Sequence, residues 1–180
     1  VLGESGPDAV SGAGAAAGRE LRALGISLNL APVAEAWDAR NGGFLGTRAF
    51  SADPARAGIL AAAFLSAQQL EGTAATAKHY PGNGVEDPHR TVPVVEASLQ
   101  EIEEFYDPPF REAVKAGAAA VMLSHARFTA LDPALPWWEA VRLRVRLARQ
   151  PGTPGAPPPV APGSRDVGDF PPATILRAAE

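Results

Sequence analysis

The segment AKHYPGNGVEDPHRTVP, residues 77–93, contains two of the chain's three histidines. Lys78 and His79 come first, a Pro-Gly-Asn-Gly turn follows, and Asp87 and His89 then stand two positions apart. A carboxylate beside an imidazole favours the protonated ring and fixes its tautomer, which suits a proton donor near neutral pH. Lys and His at a strand end also offer donors to polyhydroxylated or anionic ligands. Taken singly, each residue is more simply explained as structural; together they mark the candidate site.

The elements that must position this segment alternate between helices and short apolar strands. Caps at Asp53 and Ser98 and helix-ending glycines mark the boundaries, and the Asp-Pro-Pro at 107–109 must kink or divide the third helical stretch. The pattern predicts helices over 13–24, 54–71, 98–106 and 110–116 and strands over 26–31, 73–78 and 118–123. This order predicts an α/β fold with a parallel sheet, whose polar residues follow the carboxyl ends of the strands.

Residues 134–180 differ in composition from the rest of the chain. They hold nine of the eighteen prolines and a basic stretch from Arg142 to Arg149. Such a segment buries little apolar area, so we predict a folded region over 1–133 and a disordered Pro-rich tail over 134–180. Two other interpretations stay open: a proline-rich linker or ligand, and a segment translated out of frame.

Composition excludes several classes of function for these 180 residues. The net charge of −4 argues against nucleic acid as the main partner. No apolar run approaches the roughly 18 residues of a membrane span, and without cysteine there is neither a disulfide nor a thiolate metal site. The chain begins at Val1 and its only methionine is Met122, so we expect the native N-terminus to be missing. Cytoplasmic and exported locations both stay open.

Several motifs together carry a family resemblance. NLAPV, LGTRAFSADP, AKHYPGNG, Asp-Pro-His and PFREAVKAGAAAVMLSHA follow one another over about residues 10–133. In this order the chain resembles glycoside hydrolase family 3, most closely the β-N-acetylhexosaminidase branch that removes terminal N-acetylglucosamine. The resemblance implies that 1–133 form part of the N-terminal catalytic domain, a TIM-type (β/α) barrel. A barrel needs eight strands, whereas the sequence predicts three, so we expect a partial barrel.

The resemblance also implies roles for individual residues. His89 matches the general acid/base and Asp87 its partner, Lys78 and His79 match a pair that grips the sugar hydroxyls, and Arg48 matches an arginine on the same sugar. The implied reaction retains configuration through an Asp nucleophile. We therefore expect a carbohydrate substrate, with cell-wall peptidoglycan turnover as one context, and no cofactor or metal.

The chain departs from the family pattern at several places. Asn83 stands where a second histidine is usual, and Glu35 where an Asp is usual. The nucleophile run, Ile or Val followed by Thr-Asp-Asp, is not in the sequence, and neither is the Asp-Gln-Glu-Gly-Gly segment of the opening strands. We therefore expect a piece truncated at both ends and inactive alone.

Two rival functions remain at this point. A metal-dependent hydrolase would use His79, Asp87 and His89 as ligands, although metal ligands usually come from rigid elements rather than a glycine-rich loop. A non-catalytic carbohydrate-binding protein would keep Arg48, Lys78 and His79 without turnover.

Overall fold

The computed structural model describes residues 2–84 and 90–136, together with the backbone of residues 174–176. The α-helices of this part are α1 Pro7–Ala23, α2 Gly42–Leu45, α3 Pro54–Leu70, α4 Leu99–Glu101 and α5 Asp107–Lys115. Shorter helical segments of other types are the 3₁₀ helices Leu2–Glu4 and Gly46–Arg48 and the π-helix Ile102–Tyr106. Within these ranges no helix is long and apolar enough to cross a membrane.

The strands of the described residues form two parallel sheets. They are β1 Leu28–Asn29, β2 Ala74–Tyr80, β3 Val94–Val95, β4 Ala120–Leu123, β5 Arg127–Phe128 and β6 Thr174–Leu176. The larger sheet has the order β1-β2-β4-β6, and β3 pairs with β5 in the smaller one. The predicted α/β fold with a parallel sheet is confirmed. Within the described residues the sheet stays open and does not close into a barrel.

The predicted helix boundaries of α3 and α4 are confirmed by their caps. Asp53 accepts a hydrogen bond from the Ala55 N–H at 2.9 Å, and Ser98 accepts one from the Glu101 N–H at 3.1 Å. Each side-chain oxygen satisfies a backbone donor that the first helical turn leaves without a partner. After α3 the chain reverses at Gly72, whose φ of 83° is the left-handed conformation that glycine adopts without strain.

The first helix begins at Pro7, six residues before the predicted start at residue 13. Its first two turns contain Ser11 and Gly12, which are weak helix formers. Two features favour the longer helix: proline at the first helical position already has a helical φ, and Val10 is completely buried. Tertiary packing therefore outweighs local propensity here.

Glycines allow α1 and α3 to approach closely. A Cβ at Gly14 would lie 2.3 Å from the carbonyl oxygen of Phe64, and one at Gly18 would lie 2.7 Å from that of Gln68. Such distances leave no room for a larger side chain between the two backbones. The helix pair is thus fixed by residues that look unremarkable in the alanine-rich sequence.

Two apolar clusters hold the elements together. The first joins α3 and α5 to the sheet and comprises Ala34, Ala61, Leu65, Ala75, Ala77, Phe110, Ala113, Ala118 and Val121. The second lies around the π-helix and the small sheet and comprises Val95, Ala97, Ile102, Tyr106, Ala126 and Phe128. The Asp-Pro-Pro segment is predicted to kink or divide the third helical stretch, but the backbone stays helical: the π-helix ends at Tyr106 and α5 begins directly at Asp107, three residues before the predicted start at 110. Proline fits there because it occupies the first turn of α5.

Within residues 134–180, which are predicted to be mostly disordered, the structure describes one short strand, β6. Thr174 pairs with Ala120, and Leu176 with Met122, in parallel register along β4. Thr-Ile-Leu suits a strand by composition, but the surrounding prolines masked this signal in the sequence. The other predicted features of the tail, from residue 137 to 173 and from 177 to 180, lie outside the described residues, and the boundary at 133 stays a prediction.

Candidate functional site

The site is built where two neighbouring strands end. Beyond β1 the chain continues beside β2: the Lys78 N–H donates to the Pro32 carbonyl at 3.1 Å, and the Ala34 N–H donates to the Lys78 carbonyl at 2.9 Å. This ladder carries Glu35 to the end of β2, next to His79. The Lys78–His79 peptide bond is cis. The parallel pairing therefore explains why residues 44 positions apart in the sequence meet at one point.

A buried carboxylate lies at the centre of the site. The side chain of Glu35 is 2% exposed, and its Oε1 lies 2.7 Å from Nδ1 of His79 and accepts the His79 backbone N–H at 3.2 Å. The Asn83 amide donates to Oε1 at 3.0 Å and to Oε2 at 3.1 Å. Burying a charge is costly unless hydrogen bonds compensate it, and these donors supply that compensation. The two positions that depart from the family pattern, 35 and 83, are thus in direct contact.

Lys78 and Arg48 supply positive charge beside this carboxylate. Lys78 is half-buried, and its pKa is lowered first by desolvation and then by the charge of Arg48, while the charge of Glu35 acts in the opposite direction. An ammonium group that is partly removed from water, with a second cation nearby, gains from hydrogen-bond acceptors that a ligand brings. Sugar hydroxyls are acceptors of this kind.

The ring of Phe44 lies between Arg48 and His79. The Arg48 guanidinium carbon is 4.6 Å from the centroid of this ring, and the ring centroid of His79 is 5.8 Å from it on a tilted plane. Arg48 also donates from Nε to the Leu45 carbonyl at 3.2 Å and from a second nitrogen to the Phe44 carbonyl. The short helices over 42–48 therefore hold an exposed guanidinium in a defined position.

A second arginine anchors the loop that follows Glu35. Arg40 donates from Nε to the Asp38 carboxylate at 2.7 Å and also contacts the carboxylate of Glu101. Its guanidinium carbon lies 5.7 Å from the ring centroids of both Phe105 and Tyr106. These carboxylates raise the pKa of Arg40 further above its ordinary value, with Asp38 the larger cause. Through these contacts Arg40 links the loop after Glu35 to α4 and to the π-helix.

The structure brings three of the five predicted site residues together. Lys78 and His79, in the last part of β2, lie beside Glu35, and Arg48, at the end of the 3₁₀ helix Gly46–Arg48, joins them through its charge on Lys78 and through the ring of Phe44. The predicted acid/base His89 and its partner Asp87 lie outside the described residues, so their roles stay predictions. Within 2–84 and 90–136, no group of three His, Asp or Glu side chains is placed to hold a metal ion.

Sequence reasoning missed two features of this site. It noted Glu35 and Asn83 only as departures, because nothing in their spacing shows that they touch each other and His79. It also passed over Phe44, although an aromatic residue inside a glycine-rich loop after a strand, four positions before a candidate arginine, was an available signal.

Comparison with known proteins identifies the family of the chain. The model of the glycosyl hydrolase family 3 N-terminal domain matches residues 2–147. A beta-N-acetylglucosaminidase/beta-glucosidase of Cellulomonas fimi is 36% identical over 130 residues, which are 71% of this chain and 23% of that protein. The chain thus spans about a quarter of the length of this curated relative.

Solved structures share both fold and sequence with the chain. A family 3 beta-N-acetylglucosaminidase from Paenibacillus superposes with a TM-score of 0.71 and 34% identity over 75% of this chain and 26% of that one. NagZ from Neisseria gonorrhoeae, solved in complex with N-trifluoroacetyl-D-glucosamine, gives 0.65 and 31% over 72% of this chain and 38% of that one. A family match over most of the chain, with relatives above 30% identity, establishes the assignment: the chain belongs to glycosyl hydrolase family 3 and carries part of that family's N-terminal domain.

Proposed function

We propose that this chain forms part of a retaining glycoside hydrolase that removes terminal β-linked N-acetylhexosamine, with N-acetylglucosamine as the preferred sugar. The observation that carries the proposal is the convergence of Arg48, from a short helix, with Lys78 and His79, from the last part of β2, in a chain of this family. The names of the relatives support the choice of sugar: one is a beta-N-acetylglucosaminidase/beta-glucosidase, and another was solved with an N-acylated glucosamine. The proposed architecture is part of a TIM-type barrel.

In this proposal the three residues bind the sugar rather than react with it. Lys78 and Arg48 donate hydrogen bonds to hydroxyl oxygens, and their charge makes these bonds stronger than neutral ones. The Nδ1 atom of His79 is already engaged with Glu35, so a hydroxyl meets the other ring nitrogen, Nε2. Together the three side chains fix the orientation of the sugar, which is what brings its anomeric carbon into line with the reacting groups.

The proton transfers fall to His89, with Asp87 as its partner. The protonated imidazole gives its proton to the glycosidic oxygen as the carbon–oxygen bond breaks, while a carboxylate attacks the anomeric carbon from the opposite face. In the second step the neutral imidazole takes a proton from water as the water releases the sugar from the carboxylate.

Neither Glu35 nor Asp87 suits the role of the nucleophilic carboxylate. Glu35 is buried, accepts the His79 backbone N–H and the Asn83 amide, and contacts the His79 ring, so it is not free to attack a sugar. Asp87 is assigned to His89. We therefore expect the 180 residues to bind N-acetylglucosamine without appreciable turnover, and a longer chain that supplies the nucleophile to hydrolyse its glycosides. Peptidoglycan fragments and other β-linked hexosaminides are both candidate substrates.

Binding and hydrolysis assays test the two parts of the proposal separately. N-acetylglucosamine and glucose are titrated into the 180-residue chain, and a chromogenic β-N-acetylglucosaminide is offered to the same preparation. Saturable binding that favours the N-acetylated sugar, without turnover, is the expected result. Turnover abolished by His89→Ala would refute the assignment of the missing nucleophile, and no binding of either sugar would refute the site.

A further inference from the structure

We propose that Glu35 and Asn83 are positioning residues that hold the His79 ring in the tautomer with its hydrogen on Nδ1, so that Nε2 faces the ligand as a hydrogen-bond acceptor. The identity of the ligand rests on the proposed function, whereas the state of the ring does not. The pair therefore determines which hydrogen-bonding role His79 presents.

The hydrogen-bond pattern around Glu35 determines the tautomer. Both carboxylate oxygens receive donors, since the Asn83 amide reaches each of them and the His79 backbone N–H reaches Oε1. A carboxylate in this arrangement accepts only. The contact of 2.7 Å between Oε1 and Nδ1 is therefore a hydrogen bond only if Nδ1 carries the hydrogen.

The opposite tautomer conflicts with the same distances. The Asn83 Nδ2 atom lies 3.3 Å from Nδ1 and could donate to a bare nitrogen there. In that case, however, the lone pair of Nδ1 would face the Glu35 carboxylate at 2.7 Å, two acceptors without a hydrogen between them. The amide nitrogen lies within hydrogen-bonding distance of both carboxylate oxygens, so one N–H is shared between them and orients the carboxylate toward the ring.

The surroundings leave this cluster little freedom to rearrange. Glu35 is 2% exposed and Asn83 1%. A Cβ at Gly82 would lie 2.6 Å from Cδ1 of Tyr106 and 3.7 Å from Oε2 of Glu35, so the backbone of Gly82 packs directly against both side chains. Removal from water strengthens each hydrogen bond in the cluster and makes any lost one costly.

The consequence for binding is a division of roles among neighbouring side chains. His79 is 17% exposed, and its Nε2 makes no hydrogen bond to any residue in the described ranges. With the hydrogen on Nδ1, the neutral ring accepts a hydrogen bond at Nε2, whereas Lys78 and Arg48 can only donate. A hydroxyl group can satisfy both kinds of partner at once, because it donates and accepts.

The test measures the tautomer directly, independently of any activity. The 180-residue chain is labelled with ¹⁵N-histidine, and the ring nitrogens of His79 are followed by NMR at a pH well above the ordinary histidine pKa of about 6.5. The His79 signals are assigned by their loss in His79→Gln. We expect hydrogen on Nδ1 in the parent chain; hydrogen on Nε2 would overturn the proposal.

Isosteric substitutions then locate the cause. Glu35→Gln removes the charged acceptor, and we expect the ratio of the two tautomers to shift by about 10- to 100-fold, as for the loss of a hydrogen bond to a charged group. Glu35→Gln combined with Asn83→Asp moves the carboxylate to position 83, still beside Nδ1, and should restore the ratio. The exposed Glu96→Gln removes the same charge elsewhere and should change nothing. An unchanged ratio in Glu35→Gln would contradict the proposal.

Asn83→Ala keeps the test decisive if Glu35→Gln does not fold. Glu35 keeps its contact with Nδ1 in this variant but loses the amide that orients its carboxylate, so we expect a partial shift toward Nε2–H. An unchanged ratio would remove Asn83 from the positioning pair, and a shift toward Nδ1–H would show that Asn83 donates to Nδ1 and would overturn the assignment. N-acetylglucosamine titrations of the same variants report on the ligand. If the parent chain carries hydrogen on Nδ1 of His79 but binds no sugar, the positioning of the His79 ring is supported and the proposed function is contradicted.

Discussion

The two tyrosines of the chain should both titrate far above the ordinary phenol range. Burial is the main cause that raises the pKa of Tyr80 and of Tyr106 to about 12 each, with Asp107 adding to the shift of Tyr80. After burial, the charge of Arg40 lowers the pKa of Tyr106 while the charges of Asp38, Glu101 and Glu35 raise it, so its titration also reports on the surroundings of the candidate site. No other tyrosine is present to obscure the signal.

The direction of the effect on stability follows from these shifts. The folded state favours the protonated phenols, so their contribution to stability is complete below pH about 10 and is lost as the pH rises toward about 12. A shift of two pH units corresponds to roughly 3 kcal/mol for a buried group such as Tyr106. We therefore expect the free energy of unfolding to fall within this alkaline window.

Ultraviolet absorbance of the phenolate measures the titration. The folded chain should show little phenolate at pH about 10, where the chain unfolded in denaturant is half ionised. Tyr80→Phe should halve the amplitude and leave a single transition from Tyr106. A folded chain that titrates like the unfolded one would show that neither ring is enclosed as described, and would remove the support for the packing around Gly82.

Two further predictions address the fold and the chemistry. Gly14→Ala should destabilise the chain by about 1 to 3 kcal/mol, because the new Cβ would meet the α3 backbone. Gly12→Ala, with open space around its Cβ, should stabilise the chain by about 0.5 to 1 kcal/mol. Denaturant unfolding of both variants measures the two effects, and equal effects would contradict the close approach of α1 and α3. In a chain extended to include the nucleophile, His89→Ala should slow hydrolysis about 10²- to 10⁴-fold for substrates with poor leaving groups and much less for substrates with activated leaving groups. Equal losses for both kinds of substrate would show that His89 only binds the sugar.

Local signals explain why so much of the fold could be predicted from the sequence. The caps at Asp53 and Ser98 and the glycine at 72 act within a few residues, so their sequence signatures are complete. The buried strands β2 and β4 read as short apolar runs between these signals. The two-residue strands β3 and β5 are too short to show a period and are not among the predicted strands, whereas β1, equally short, lies within the predicted apolar run 26–31.

The site was only partly predictable because its contacts are long-range. Lys78 and His79 could be placed at a strand end, and Arg48 in a loop after another strand, from local patterns. That Glu35 reaches His79 depends on the register of parallel strands 44 residues apart, and that Arg40 reaches Glu101 depends on packing over 61 residues. Contacts between residues so far apart in the chain have no local signature in a single sequence.

The two lysines of the chain allow a direct test of the central claim that Lys78 belongs to a sugar-binding site. Lys115 is the matched control, since its side chain is 70% exposed and pairs with Glu112 on α5. N-acetylglucosamine is titrated by NMR into the parent chain, Lys78→Met and Lys115→Met, with folding checked by circular dichroism. Loss of a charged donor predicts about 10- to 100-fold weaker binding for Lys78→Met and parent-like binding for Lys115→Met. Equal affinities for the two variants, or a larger loss in Lys115→Met, would contradict the account.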